Sequence, residues 1–70
     1  MKSTLRKRFG TRVKELRKAS GLSQEAFADK CGFARTYMSR IETVGANVSL
    51  DAIQTLATAL KVKEAELFKD

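Results

Sequence analysis

Three glycines divide this sequence into short segments: Gly21, Gly32 and Gly45. Before the first of them, apolar residues recur every three or four positions, as they do along one face of an α-helix: Leu5, Phe9, Val13 and Leu16. The chain contains no proline, and strands are hard to find in it. Because 70 residues can enclose only one core, we expect a single all-α domain over residues 1–70.

The apolar spacing and the capping residues predict five helices packed into a compact bundle. We expect them at residues 3–19, 24–30, 34–43, 50–60 and 64–68. Ser23 and Ser49 are the predicted N-caps of the second and fourth helices. Gly10 falls inside the first helix, where glycine costs about 1 kcal/mol relative to alanine, so a neighbouring backbone should come close there. The second and third helices are separated by three or four residues that include Gly32, which is the spacing of a helix-turn-helix.

The charge of the chain is strongly asymmetric. Lys and Arg number 14 against 8 acidic residues, and the excess lies in residues 1–20, where Glu15 is the single acid. A concentrated basic end suggests a polyanionic partner, either nucleic acid or an anionic lipid surface. A solvated helix face is the alternative interpretation of the same charges.

Composition excludes several kinds of chemistry. With no histidine and one cysteine, the chain cannot form an intramolecular disulfide or a histidine-based triad, and it lacks the usual ligands of a zinc site. We expect Cys31 to be an inert, buried thiol. Without a glycine-rich phosphate loop or a paired-carboxylate cleft, we expect no enzyme activity, metal, cofactor or small-molecule ligand. No apolar run of about 20 residues and no signal peptide is seen, and the cysteine usage fits the cytoplasm.

Several stretches of the sequence carry the pattern of one protein family. GLSQEAFA at 21–28, GF at 32–33 and YMSRIE at 37–42 resemble the Xre-type helix-turn-helix family, the phage repressor and Cro-like DNA-binding domains. The first helix and the tail extend this resemblance to about residues 5–68. Their matching stretches are FGTRVKELR at 9–17, LKV at 60–62 and ELF at 66–68.

Within this resemblance, RTYMS at 35–39 followed by NVSL at 47–50 is similar to the controller proteins of restriction–modification systems. The resemblance implies a lambda-repressor-like fold and a transcriptional regulator that binds a palindromic double-stranded DNA operator as a homodimer. Ala34 and Lys63 depart from the family pattern, because a small polar residue usually caps the third and last helices there. Since alanine lacks a capping oxygen, we expect the start of the third helix to fray.

The third helix has one apolar and one polar side. At 100° per residue, Met38 and Ile41 lie on the side opposite the polar residues, which are Arg35, Thr36, Ser39 and Arg40. Arginine can donate two hydrogen bonds to guanine, and the threonine methyl can contact a thymine methyl. We therefore expect Arg35, Thr36 and Ser39 to read bases in the major groove and Arg40 to contact a phosphate. A phosphate contact or a solvated side chain is the alternative role of Arg35.

Further DNA-backbone contacts are expected around the third helix. Gln24 opens the second helix, where free backbone N–H groups attract phosphate, and the family uses this residue against DNA. An ordinary polar residue at a helix start is the alternative role of Gln24. Thr43 and Asn47 are weaker phosphate candidates, and Tyr37 could either reach a phosphate or serve in packing alone.

Two further assignments concern the protein itself rather than DNA. The family often joins the positions of Arg17 and Glu42 by a salt bridge, so we expect a structural ion pair there. We place the dimer interface at Leu67 and Phe68, because so short a chain has little core left to cover Phe68.

Two other functions compete with DNA binding. An antitoxin-like or other interaction module would bind a partner protein through the fourth and fifth helices. The basic first helix and the arginines of the third argue against this alternative. A membrane-surface helix at residues 2–18 is disfavoured because its apolar stripe is needed for the core and it lacks tryptophan.

Overall fold

The computed structural model describes residues 4–69. Four α-helices follow one another: α1, Leu5–Ala19; α2, Gln24–Cys31; α3, Arg35–Thr43; and α4, Leu50–Leu60. A 3₁₀ turn, Glu64–Phe68, follows α4. The described residues contain no strand, which confirms the all-α class. None of the helices in this part of the chain is long and apolar enough to cross a membrane.

The predicted fifth helix is wrong in type, because residues 64–68 form a 3₁₀ turn. The backbone N–H of Glu66 donates to the carbonyl of Lys63, three residues back, at 2.9 Å. Lys63 supplies no side-chain cap, and so short a segment gains too few hydrogen bonds to offset α-helix nucleation. The described bundle therefore has four α-helices and one short turn.

The starts and ends of the helices follow from capping chemistry. Three helices begin after a hydroxyl residue whose oxygen accepts the backbone N–H three positions on, at 3.0–3.2 Å: Thr4, Ser23 and Ser49. The predicted helix start at Ser3 lies outside the described residues. α3 begins without a side-chain cap, because Ala34 has no oxygen to offer. Gly32, with φ of 73°, ends α2 in the left-handed conformation and turns the chain toward α3.

One apolar core fills the space between the helices and the 3₁₀ turn. Its largest fully buried side chains are Phe27, Met38, Ile41, Leu56, Leu67 and Val13. The assignment of Leu67 to a dimer interface is therefore wrong, because the 3₁₀ turn directs this side chain into the core. Leu50 is 84% exposed, since it opens α4 outside the packed face.

The backbones of α1 and α3 are in close contact at Gly10. A Cβ atom there would overlap the carbonyl oxygen of Ile41 and lie 3.5 Å from the Cα of Glu42. Gly45, just after α3, is similarly close to α1, with a hypothetical Cβ 3.0 Å from the backbone of Arg6. The glycine inside α1 thus permits the close approach that the sequence predicts.

A buried ion pair joins the same two helices. Arg17 Nε donates to Glu42 Oε2 at 2.8 Å, and Arg17 Nη2 donates to Oε1 at 3.0 Å. The Arg17 side chain is 9% exposed and the Glu42 side chain 1%. Arg17 Nη1 also donates to the carbonyl of Leu22 at 2.8 Å, in the turn before α2. The pair therefore fixes α1, α3 and the α1–α2 turn relative to one another.

We expect Gly10→Ala to lower the free energy of unfolding by a net amount of about 1–3 kcal/mol, because the added methyl forces α1 and α3 apart. The cost of forcing the helices apart therefore exceeds the roughly 1 kcal/mol that alanine normally gains over glycine in a helix interior. Thr11→Ala, at the exposed neighbouring position, should change stability by less than about 0.5 kcal/mol. Urea denaturation measures both variants. A Gly10→Ala protein more stable than the parent would contradict the close backbone contact.

We expect Arg17→Ala and Glu42→Ala each to cost about 3–5 kcal/mol, because each variant leaves an uncompensated buried charge. The double variant should lose much less than the sum of the two single losses. Glu15→Ala is a matched control, since Glu15 pairs with Arg12 at 3.6 Å on the surface and should cost at most about 1 kcal/mol. Denaturant titration of all variants gives the coupling, and additive losses at Arg17 and Glu42 would refute it.

Candidate nucleic-acid interface

The outer face of α3 carries an exposed polar surface. Arg35, Thr36 and Arg40 are exposed, and Ser39 is half-buried. Together with Gln24 of α2 they line a shallow hollow of about 300 Å³, which we call the α3 hollow. The structure thus brings together the three predicted base-reading residues and two of the predicted DNA-backbone residues.

The inner face of α3 fixes the direction in which the α3 hollow opens. Met38 and Ile41 are buried in the core, and Glu42 is held by the guanidinium of Arg17. The helical period then directs the side chains of Thr36 and Arg40 away from the core. Because packing and an ion pair both restrain α3, the helix cannot roll about its axis without breaking one of them.

Gln24 connects the α3 hollow to the buried ion pair. Its Nε2 donates to Oε1 of Glu42 at 3.2 Å, and its side chain is half-buried. Gln24 is the first residue of α2, as its position after Ser23 predicts, but nothing in the sequence indicates the contact with Glu42. The two residues lie 18 positions apart, so their meeting depends on how α2 packs against α3.

The other predicted DNA-backbone residues lie outside the α3 hollow. Tyr37 is half-buried and packs edge-on against Phe33, with ring centroids 5.1 Å apart. The Thr43 hydroxyl donates to the backbone carbonyl of Ser39 within α3. Asn47 is exposed and lines a different, larger hollow beside Phe68. Tyr37 and Thr43 therefore belong to α3 without lining the α3 hollow, and Asn47 lies in the loop that follows the helix.

Part of the basic charge of α1 has a structural use. Arg12 Nε donates to the backbone carbonyl of Glu66 at 2.8 Å, and Arg12 Nη2 lies 3.4 Å from Glu66 Oε1. A hydrogen bond from Lys69, together with its charge and that of Arg12, lowers the pKa of Glu66. The contact between Arg12 and Glu66 could not be predicted, since nothing local indicates a pairing between residues 54 positions apart.

The arginines of α3 differ from Arg12 and Arg17 in their surroundings. Within residues 4–69, neither Arg35 nor Arg40 forms an ion pair. Both guanidinium groups are therefore available to donate hydrogen bonds outward from the α3 hollow. An arginine fork of this kind matches the acceptors of a guanine edge or of a phosphate.

Other reactive groups are few in this part of the chain. Burial raises the pKa of the Cys31 thiol to about 11, an effect that the charge of Lys30 only partly opposes. The thiol is therefore protonated near neutral pH, where thiolate chemistry is slow. Among the described residues, no group of three or more potential ligands could hold a metal ion.

Known proteins are similar to this chain in both sequence and fold. A family model described as a helix-turn-helix domain matches residues 8–67. The control protein C.MunI of a Mycoplasma species is 44% identical over 64 residues, which cover 90% of this chain and 86% of that protein. The restriction–modification controller protein C.AhdI from Aeromonas hydrophila, known from a crystal structure, is 49% identical in sequence to this chain. The two folds match with a TM-score of 0.83, and the match covers 87% of this chain and 92% of that one.

A further solved structure contains DNA. It is the controller protein C.Esp1396I bound to a 25 base pair operator site. That protein is 28% identical in sequence to this chain, and the two folds match with a TM-score of 0.84. The match covers 96% of this chain and 88% of that one. The resemblance expected from the helix-turn-helix stretches is thus confirmed in sequence and in structure, and the chain belongs to the helix-turn-helix domain family, with restriction–modification controller proteins among its relatives.

Proposed function

We propose that this protein is a transcriptional regulator that binds double-stranded DNA and reads its sequence with α3. The α3 hollow carries this proposal, because it presents two unpaired guanidinium groups and two hydroxyl groups on one exposed helix face. α-Helices fit the major groove, where each base pair has a distinct pattern of donors and acceptors. The related C.Esp1396I, solved bound to a 25 base pair operator site, supports DNA binding by this chain.

The residues of the α3 hollow divide by their distance from the start of α3. Arg35 is the first residue of the helix, so its fork reaches deepest and pairs with guanine O6 and N7. Thr36 and Ser39 offer a methyl and hydroxyl groups to neighbouring bases. Arg40, one turn further on, contacts a phosphate, and Gln24 donates to a phosphate from the start of α2. Tyr37, Thr43 and Asn47 contact the DNA backbone outside the α3 hollow in this proposal.

Two copies of the chain are needed for useful specificity, because a single helix reads few base pairs. Phe68 is 45% exposed and packs against Phe9 on one side only, with ring centroids 5.2 Å apart. It borders a hollow of about 490 Å³ that Val48 and Ile53 also line. We propose that a second copy covers this apolar surface, with Phe68 at the contact, and that the dimer acts in the cytoplasm.

The same apolar surface is also the site that the alternative function, binding of an unlike protein, would use. An antitoxin-like module would use the region around α4 and the 3₁₀ turn to bind an unlike protein. The exposed Leu50 and Phe68 favour an interaction there but do not select the partner. Self-association of the purified chain distinguishes the two functions.

We expect Arg35→Ala to weaken binding to the preferred duplex by about 1–3 kcal/mol per half-site and to relax the choice of base at one position. The loss reflects the missing fork on guanine, since Arg35 is exposed and its removal leaves the core intact. Affinities for a panel of single-base operator variants, selected first from a random pool, test this expectation.

Arg40→Ala serves as the comparison for Arg35→Ala. As a phosphate contact, Arg40 should weaken all sequences evenly when removed and reduce the salt slope by about 0.9 for each lost contact. Melting temperatures control for the fold. If the Arg35 variant keeps the full base preference of the parent, Arg35 does not read a base, and Thr36 or Ser39 must.

We expect Phe68→Ala to weaken self-association by at least about 2 kcal/mol, as the loss of a central aromatic anchor does in other interfaces. Val44→Ala is the matched control, because Val44 is 64% exposed but does not line the hollow beside Phe68. Sedimentation equilibrium measures both, with circular dichroism as a test of folding. A parent chain that stays monomeric, alone and on DNA, would contradict the dimer.

A further inference from the structure

We propose that Glu42 is a positioning residue for DNA recognition, which it performs by fixing the side-chain amide of Gln24 at the edge of the α3 hollow. The inference rests on the proposed DNA-binding function. Its starting point is one shared acceptor: Glu42 Oε1 accepts from Arg17 Nη2 at 3.0 Å and from Gln24 Nε2 at 3.2 Å. Gln24 therefore touches the buried pair and also lines the α3 hollow.

Glu42 can influence DNA only through another residue. Its side chain is 1% exposed, so no phosphate or base can reach the carboxylate. Its other oxygen, Oε2, accepts from Arg17 Nε at 2.8 Å. With both oxygens held in a bidentate contact, the carboxylate has one fixed orientation. It is thus a rigid acceptor facing the side chain of Gln24.

The chemistry of a carboxylate decides which way the Gln24 amide turns. An ionised carboxylate accepts hydrogen bonds and donates none, whereas an amide has a donating and an accepting end. The NH₂ end of Gln24 must therefore face Glu42, and the carbonyl oxygen must point away. One N–H is used by Glu42, and the second N–H remains for a phosphate oxygen at the edge of the hollow.

Fixing the amide before DNA arrives has an energetic consequence. A glutamine side chain has several rotatable bonds and loses considerable entropy when a contact orders it. Here the contact with Glu42 orders Gln24 in the free protein, so less entropy is lost when DNA binds. The buried pair therefore contributes to DNA affinity as well as to stability, and Gln24 is the link between the two.

Comparing Gln24→Ala in two backgrounds tests this link. In the parent, Gln24→Ala should reduce operator affinity by about fivefold per chain, the usual effect of losing one hydrogen bond. In a Glu42→Gln background, the same change should reduce affinity by less than about twofold, because a neutral amide at position 42 can face either end of Gln24. Gln54→Ala is the matched control, since Gln54 is exposed on α4 and should have no effect in either background.

The outcomes separate this inference from the proposed function. A parent protein that selects no duplex from a random pool refutes DNA binding itself. A parent that binds DNA but loses the same affinity on Gln24→Ala in both backgrounds refutes the positioning role of Glu42. A general loss of stability on Glu42→Gln would lower affinity without removing the Gln24 effect, so a purely structural role gives a different result.

A measurement on the unsubstituted protein keeps the inference testable if Glu42→Gln does not fold. Nuclear magnetic resonance of the side-chain amides should show one Gln24 proton protected from solvent exchange in the free protein. That proton should stay protected when the selected duplex is added, while the second proton shifts. The amide of Gln54 is the internal reference, and two Gln24 protons that exchange as fast as those of Gln54 would overturn the inference.

Discussion

The pair between Arg17 and Glu42 is the interaction on which the rest of this structure depends. Two charges taken out of water are tolerated only when every donor and acceptor is satisfied in good geometry. Here two guanidinium N–H groups contact the carboxylate and a third reaches the carbonyl of Leu22. These three contacts tie α1, α3 and the turn before α2 to one another, and breaking any one of them would strand a buried charge or polar group.

The orientation of the polar face of α3 follows from this arrangement. Packing of Met38 and Ile41 directs one side of the helix inward, and the contact with Gly10 allows the two backbones to approach closely. What remains outside is a short set of polar residues on a rigid support. A recognition surface benefits from such support, since little of it must be ordered when a partner binds.

Local features of this fold could be predicted from the sequence, and features that depend on distant contacts could not. The caps at Ser23 and Ser49 and the turn at Gly32 depend only on neighbouring residues. The sequence therefore predicts the helix boundaries to within a residue or two of those in the structure. Gly10 was informative because a glycine inside a helix has a cost that requires a reason. The buried pair was expected only through family resemblance, because nothing local joins residues 17 and 42.

The errors lie where tertiary packing overrides local pattern. An α-helix and a 3₁₀ turn share nearly the same apolar spacing over five residues, so the type of the last element was indeterminate from sequence. Leu67 and Phe68 are adjacent and both apolar, yet only Leu67 is fully buried. The contacts of Arg12 with Glu66 and of Gln24 with Glu42 required the packed structure, and the second of these gives Gln24 a partner within the protein besides its expected role toward DNA.

The contact between Arg12 and Glu66 also bears on how the chain folds. A 3₁₀ turn without a side-chain cap has little stability of its own, and this one is held by Arg12 from α1 and by burial of Leu67. Closing a loop between partners 54 residues apart costs more entropy than closing the short turn between α2 and α3, by about 0.6 kcal/mol for each doubling of loop length. We therefore expect the α2–α3 hairpin to form early from local contacts and the last turn to dock later. Because Arg12 and the buried Leu67 both hold the docked turn, we expect it to open together with the core rather than to fray as a free end.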